Sequence, residues 1–140
     1  MLFKRDNPEQ YAKDFEGADA LGDLLGAKFI SVNDKECLYE YEAQEGHYNP
    51  NGILHGGALY SVMDSSQGAF VHFILDPQYK FAATGTATIR YNAPVTRGKI
   101  KIRTWLEKIE RRKMFIQSSA TDSKGTEVAT LDEIWIAIPK

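Results

Sequence analysis

Apolar residues recur along this chain at two different spacings, and the changes of spacing mark out its elements. The first 25 residues read as helix. Tyr11, Phe15, Ala18, Leu21, Leu24 and Leu25 sit at roughly helical intervals. Asn7-Pro8 supplies the start, with Asn7 as N-cap and Pro8 at the first helical position. Gly17 and Gly22 interrupt the pattern, so one helix or two short ones fit it, and Gly26 is a stop. Two extended stretches follow, Ala27 to Val32 and Glu36 to Ala43, on either side of the turn Asn33-Asp34-Lys35. Gly46 to Gly52 is loop. Then the period changes: Leu59, Val62, Met63, Ser66, Phe70, Phe73 and Ile74 form a helical stripe. The rest of that segment is nearly free of charge, since from Gly56 to Leu75 the ionisable side chains are Tyr60, Asp64 and His72 alone. Such a helix is expected to be buried all round, and Asp76-Pro77 ends it.

The remainder reads as four strands. Phe81 to Tyr91 closes at Ala93-Pro94. Lys99 to Ile109 alternates, with Ile100, Ile102, Thr104 and Leu106 on one face and Lys99, Lys101, Arg103 and Glu107 on the other. Met114 to Thr121 follows the basic turn Arg111-Arg112-Lys113, and Val128 to Ile138 follows the turn Asp122-Ser123-Lys124-Gly125. Consecutive hairpin connections imply a mainly antiparallel sheet. A flat sheet cannot cover a helix buried all round. The expected fold is therefore α+β, a curved antiparallel sheet of about six strands wrapped round a long central helix, with a helix at the N-terminus. Its edge strands would be protected by a second copy.

The chain has 140 residues, enough for one domain, 1–140. A formal net charge of -2 argues against a dedicated nucleic-acid binder. One cysteine, Cys37, excludes an intrachain disulfide, and the spacing of His47, His55 and His72 matches no familiar metal motif. No apolar run is long enough to span a membrane. The charged stretch Met1 to Tyr11 lacks the apolar core of a signal peptide, so a cytoplasmic location is the expectation.

The chemistry concentrates where loop becomes central helix, in Asn49-Pro-Asn-Gly-Ile-Leu-His55-Gly56-Gly57, followed by Asp64. Glycine lets a ligand approach the backbone. The first N–H groups of a helix are unpaired and partly positive, suited to an oxyanion. Gly56-Gly57 alone would be no more than a tight helix entry. Asp64 changes the weighing, because an aspartate among apolar and small residues is either a satisfied core acid or a nucleophile or general base. Asp64 lies eight positions after Gly56 and nine after His55. Nine steps turn about 180° and rise about 13 Å, so Asp64 and the helix start cannot meet at one carbonyl within a chain. A shared reaction then needs two subunits, with two equivalent sites at their interface.

These residues resemble the PaaI-like branch of the hot-dog thioesterases, over roughly Gly22 to Ile138. The resemblance rests on Asn49-x5-His55-Gly56-Gly57-x6-Asp64, with support from Tyr91-x2-Pro94 leading to Gly98. It implies hydrolysis of acyl-CoA thioesters without metal or redox cofactor, by a homodimer built edge to edge, often a dimer of dimers. Asp64 would attack the carbonyl or activate water. The Gly56 amide would polarise that carbonyl, His55 would orient the loop, Asn49 would position water or the carboxylate, and Thr84 would assist with its hydroxyl.

Other side chains carry less. Arg111, Arg112 and Lys113 are a solvated hairpin tip or a clamp for coenzyme A phosphates, with Arg90 and Arg97 as weaker candidates. His72 reads as a helix-end or surface residue and His47 has no assigned role. Asp132 and Glu133 are adjacent acids whose side chains must point to opposite faces of a strand. Tyr60, Phe70 and Phe73 read as core, and Cys37 as inert. Two rival functions on the same fold are a non-catalytic acyl-CoA or aromatic-ligand binder and a dehydratase or hydratase. The second lacks a histidine-acid pair suited to C–O elimination.

Overall fold

A computed structural model describes residues 6–140. The part of the helical and leaderless readings that falls on residues 1–5 lies outside it. The N-terminal pattern resolves into two helices, α1 (Pro8–Glu16) and α2 (Ala20–Leu25). Asn7 caps the first, its side chain accepting from Gln10 N at 3.1 Å, and Asp19 caps the second. Gly26 ends α2 at φ 83°, a left-handed stop that favours glycine. The interruption of the helix between Glu16 and Ala20 turns α2 so that Leu21 and Leu24 face solvent, 54% and 73% exposed, against the continuous stripe expected. Tyr11 is fully buried and donates its hydroxyl to Ala69 O at 2.8 Å. With Phe15, Phe29 and Phe73 it fixes α1 to the core by ring contacts.

The strands are β1 (Ala27–Val32), β2 (Cys37–Glu42), β3 (Tyr79–Tyr91), β4 (Lys99–Glu110), β5 (Lys113–Thr121) and β6 (Glu127–Pro139). They form one antiparallel sheet in the order β1-β2-β4-β5-β6-β3. The long helix α3 (Gly56–Ile74) touches all six strands. Six strands spaced about 4.8 Å apart are wider than one helix of about 10 Å, so the sheet must curve round it. Bulges at Thr84/Thr86 on β3 and Leu106/Lys108 on β4 add local bend.

Burial follows the expected alternation. Ile100, Ile102 and Thr104 of β4 face the helix, as do Met114, Ile116, Ser118 and Ala120 of β5 and Leu131, Glu133 and Trp135 of β6. α3 departs from the expectation. Leu59, Val62, Met63, Ser66, Gln67 and Phe70 are buried, but Tyr60, Ser61, Asp64, Ser65, Gly68 and His72 form a stripe left partly open. Beside this stripe β3 is the sheet's uncovered edge, and residues 83–88 are exposed on both faces. The opposite edge, β1, is packed against α1 and α2.

A buried polar chain ties α3 to the sheet. Ser66 meets Thr104 at 2.9 Å and Thr104 meets Ser118 at 2.8 Å. Gln67 Nε2 donates to Ser118 Oγ at 3.0 Å and Leu131 O at 3.1 Å, while Gln67 Oε1 accepts from Trp135 Nε1 at 3.0 Å. Among the described residues no buried side-chain polar atom lacks a partner. Gln67 is the centre of this chain, and replacing it orphans groups in a dry core. Gln67→Leu is expected to lower unfolding stability by about 3 kcal/mol, read as a lower urea midpoint with an unchanged slope.

Candidate active site

The loop before α3 is held by its own side chains. Asn49 Oδ1 accepts from Asn51 N at 2.9 Å and Ile53 N at 3.2 Å, and Asn49 N donates to Ile53 O at 2.8 Å. The asparagine therefore spends its carbonyl oxygen on the turn and keeps its amide group for other partners. His47, in a short 3-10 turn (Glu45–His47), braces the same corner through Tyr41 Oη at 2.7 Å and through its carbonyl, which accepts His55 N at 2.8 Å. Its role is structural.

His55 is the N-cap of α3. Its Nδ1 accepts the Gly57 N–H at 2.8 Å, so the ring folds back over the helix entry with Nε2 turned away. A Cβ on Gly57 would stand 3.0 Å from that ring, and one on Gly56 would stand 2.9 Å from Tyr91 Cζ. A side chain at either position would have to displace Tyr91 or the His55 ring. Tyr91 donates its hydroxyl to Gly56 O at 2.7 Å, which fixes the helix tip from the end of β3. The Gly56 N–H has no acceptor among the described residues. It is an unpaired donor at the positive end of a helix.

Asp64 sits two turns further along, on the partly open stripe. Its carboxylate lies against Glu133 and near Tyr60. Glu133 is 1% exposed. Its Oε1 accepts from Tyr60 Oη and its Oε2 from Trp135 Nε1, each at 3.1 Å. Burial first, and then the hydrogen bond and charge of Asp64, push the Glu133 carboxyl up to about 9. Burial, with Glu133 and Asp64 adding to it, pushes Tyr60 up to about 12. At neutral pH Glu133 thus keeps its proton.

Thr84 pairs in register with Trp135, which puts its side chain on the helix-facing side of the sheet, exposed at the free edge. Its hydroxyl makes no hydrogen bond among the described residues. The basic turn Arg111-Arg112-Lys113 is exposed, with Arg111 at φ 56°. Arg111 lines an 820 Å³ cavity with Phe73, Leu75, Leu106 and Met114, at the far end of α3 from Gly56. Within one chain the turn and the helix tip are therefore about 25 Å apart. Arg97 lies nearer the tip, over the Tyr48 ring at 5.2 Å and 3.6 Å from Glu45. Arg90 pairs with Asp132 at 3.1 Å on the outer face.

Sequence reasoning missed two members of this cluster. Tyr60 was assigned to the core, yet it lies one helical turn before Asp64, on the same face. Glu133 was weighed only against its neighbour Asp132. The two acids do point to opposite faces, and the partner of Glu133 is Asp64. His72 is half-buried and bridges α3 to β3, meeting Gly68 O at 2.8 Å and accepting from Ala82 N at 3.2 Å. Cys37 is buried and burial pushes its thiol well up, which keeps it unreactive. Among the described residues no three His, Cys, Asp or Glu side chains converge to hold a metal, and no helix is long and apolar enough to cross a membrane.

A search of curated proteins finds no match. Among solved structures, a thioesterase from Haemophilus influenzae superposes with a TM-score of 0.84 at 15% identity, covering 99% of this chain and 96% of its own. A mutant thioesterase from Pseudomonas aeruginosa gives 0.84 at 16%, over 96% and 95%. The PaaI protein of the phenylacetic acid degradation operon of E. coli gives 0.80 at 18%, over 93% and 92%. At these identities the likeness speaks for the hot-dog fold. The family model described as thioesterase superfamily matches residues 51–129, more than half of the chain and including Gly56, Asp64 and Thr84. The chain belongs to the thioesterase superfamily.

Proposed function

We propose that this protein hydrolyses acyl-CoA thioesters at sites shared between two copies of the chain. The observation that carries the reading is the placement of Asp64: a carboxylate on an open, small-residue stripe of the central helix, two turns from an unpaired N–H on the same helix. The two groups stand about 12 Å apart along one axis, too far to serve one carbonyl. A second copy, packed antiparallel against the stripe and the free β3 edge, brings the Asp64 of one protomer to the Gly56 tip of the other. It also covers an edge that is otherwise open to aggregation.

In this arrangement the thioester oxygen accepts the Gly56 N–H, and charge developing on it is stabilised by the helix dipole. Asp64 adds to the carbonyl carbon directly or takes a proton from the water that does. The tetrahedral intermediate collapses by breaking the C–S bond and releasing the coenzyme A thiolate. That leaving group is good enough to need no serine nucleophile or histidine relay. Where water adds, the free acid forms directly. Where Asp64 adds, a mixed anhydride remains on Asp64 that water then hydrolyses to the free acid and the restored carboxylate. His55 holds the tip in shape, Asn49 presents its amide group, and Thr84 brings a hydroxyl from the edge strand. Arg97 and the turn Arg111-Arg112-Lys113 are the cations available to the phosphates of coenzyme A, the former in cis to the tip and the latter at the helix's other end.

The test is free-thiol release across a panel of aryl- and alkyl-CoA thioesters. Turnover is expected for at least one class. Tight binding of the whole panel with no thiol released would refute hydrolysis and identify a binding protein.

A further inference from the structure

We propose that Glu133 is a positioning residue, whose carboxyl donates a hydrogen bond to Asp64 and fixes the orientation of that carboxylate. This rests on the assignment of Asp64 as the reacting acid and deepens it. The geometry is that of a clamp with three sides. Tyr60 and Trp135 each donate to one oxygen of Glu133. Asp64, one turn beyond Tyr60 on the same face of α3, is the third neighbour of this carboxyl. Trp135 is in turn held by Gln67, and Gln67 by Ser118 and Leu131 O, so the clamp is anchored on β5 and β6. Glu133 is already buried in a single chain, and a partner can only bury it further.

The titratable groups facing Glu133 are Asp64 and Tyr60, both from α3. Its register partners on the flanking strands are Ile116 of β5 and Ala87 of β3, neither of which titrates. With no cation among these neighbours, a second charge beside Asp64 is opposed by both burial and repulsion. Glu133 therefore keeps its proton at neutral pH. The Glu133 O–H is then the donor that orients the Asp64 side chain. Such fixing matters because a misplacement of about 1 Å in a reacting group costs up to about 100-fold in rate.

The experiment has two arms. In the first, kcat and KM are measured against pH for wild type, Glu133→Gln and Glu133→Ala. Glu133→Gln keeps a donor on the same frame, while Trp135 retains Gln67 as acceptor. Its kcat is expected to stay far closer to wild type than that of Glu133→Ala, which drops about 10- to 100-fold with KM little changed. Wild-type kcat is expected to fall as pH rises through about 9, where Glu133 ionises, and Glu133→Gln lacks that limb. A shared alkaline limb, or an Ala variant as active as wild type, overturns the proposal. If Glu133→Ala does not fold, the Gln profile decides alone.

The second arm needs no activity. Infrared spectroscopy at neutral pH is expected to show a protonated carboxylic acid band that disappears in Glu133→Gln and shifts in Asp64→Asn. Absence of the band in wild type overturns the pairing. Presence of the band in a protein that hydrolyses no thioester upholds the hydrogen-bonded pair and overturns the catalytic reading instead.

Discussion

Asp64→Asn is expected to cut thioester turnover by about 10²- to 10⁴-fold while the protein stays folded. Asparagine has nearly the shape of aspartate, so packing on the open stripe is preserved. Its amide neither attacks a carbonyl nor accepts a proton from water. KM should move little, because the carboxylate is asked to act on the transition state rather than to hold the coenzyme A moiety. The substitution also removes the negative neighbour of Glu133, one of the causes that lift its carboxyl to about 9. Near pH 7 Glu133 keeps its proton and the asparagine oxygen can still accept its hydrogen bond, so the unfolding midpoint should change little. Loss of activity with retained stability separates chemistry from damage. Turnover within about tenfold of wild type would remove Asp64 from its assigned role.

The same pair gives stability a pH dependence of definite sign. The unfolded chain releases the Glu133 proton near the ordinary glutamate value of about 4.3, whereas the folded protein holds it to about 9. Across that window the native state binds the extra proton, so its stability declines as pH rises. Glu133→Gln should flatten that decline.

The fold was legible because the sheet is amphipathic. Alternation in β4 named Ile100, Ile102 and Thr104 as inward, and all three are buried. Turn chemistry placed every hairpin within a residue or two. Legibility failed wherever two environments ask for the same residues. A helix lined with small side chains reads as buried all round, and α3 instead leaves Ser61, Asp64, Ser65 and Gly68 partly open. Small residues suit a helix covered by its own sheet and one that awaits another surface equally well. In α2, helical spacing suggested that Leu21 and Leu24 continue the stripe of Tyr11, yet the break at Gly17 to Asp19 rotates them to solvent.

The site divided along similar lines. The candidates close in sequence, Asn49, His55, Gly56 and Asp64, lie on one loop and one helix, and rotation per residue already separates Asp64 from the tip. Glu133 lies 69 positions from Asp64 and on another element, so no periodicity joins them. The signal present was chemical. Glu133 and Trp135 stand two apart on a strand, so they share a face, and the neighbouring residues Leu131 and Ala137 mark that face as inward. An acid on a buried face demands a partner, and α3 carries one carboxylate. For the basic turn Arg111-Arg112-Lys113, charge alone does not say at which end of the helix a hairpin tip will lie.

Mixing two inactive variants is expected to restore activity, and only a shared site can produce that result. Gly56→Val places a branched side chain where even a Cβ meets Tyr91 at 2.9 Å, displacing the helix tip and its N–H. Alone it should be nearly inactive, as removal of an oxyanion donor costs about 10²- to 10³-fold. Asp64→Asn alone is inactive for want of the carboxylate. In a heterodimer of the two, one site combines both defects, while the other combines an intact Asp64 with an intact Gly56. Random exchange makes half of the dimers mixed, each with one working site of two, so the mixture should recover about a quarter of wild-type activity. If each site were built from a single chain, every site in the mixture would carry one defect and nothing would be recovered. The recovered fraction should appear at the rate of subunit exchange after brief partial denaturation and dilution, followed by free-thiol release. A mixture that stays inactive while labelled subunits demonstrably exchange places both groups in one chain. It would also contradict the helix geometry, which holds them about 12 Å apart.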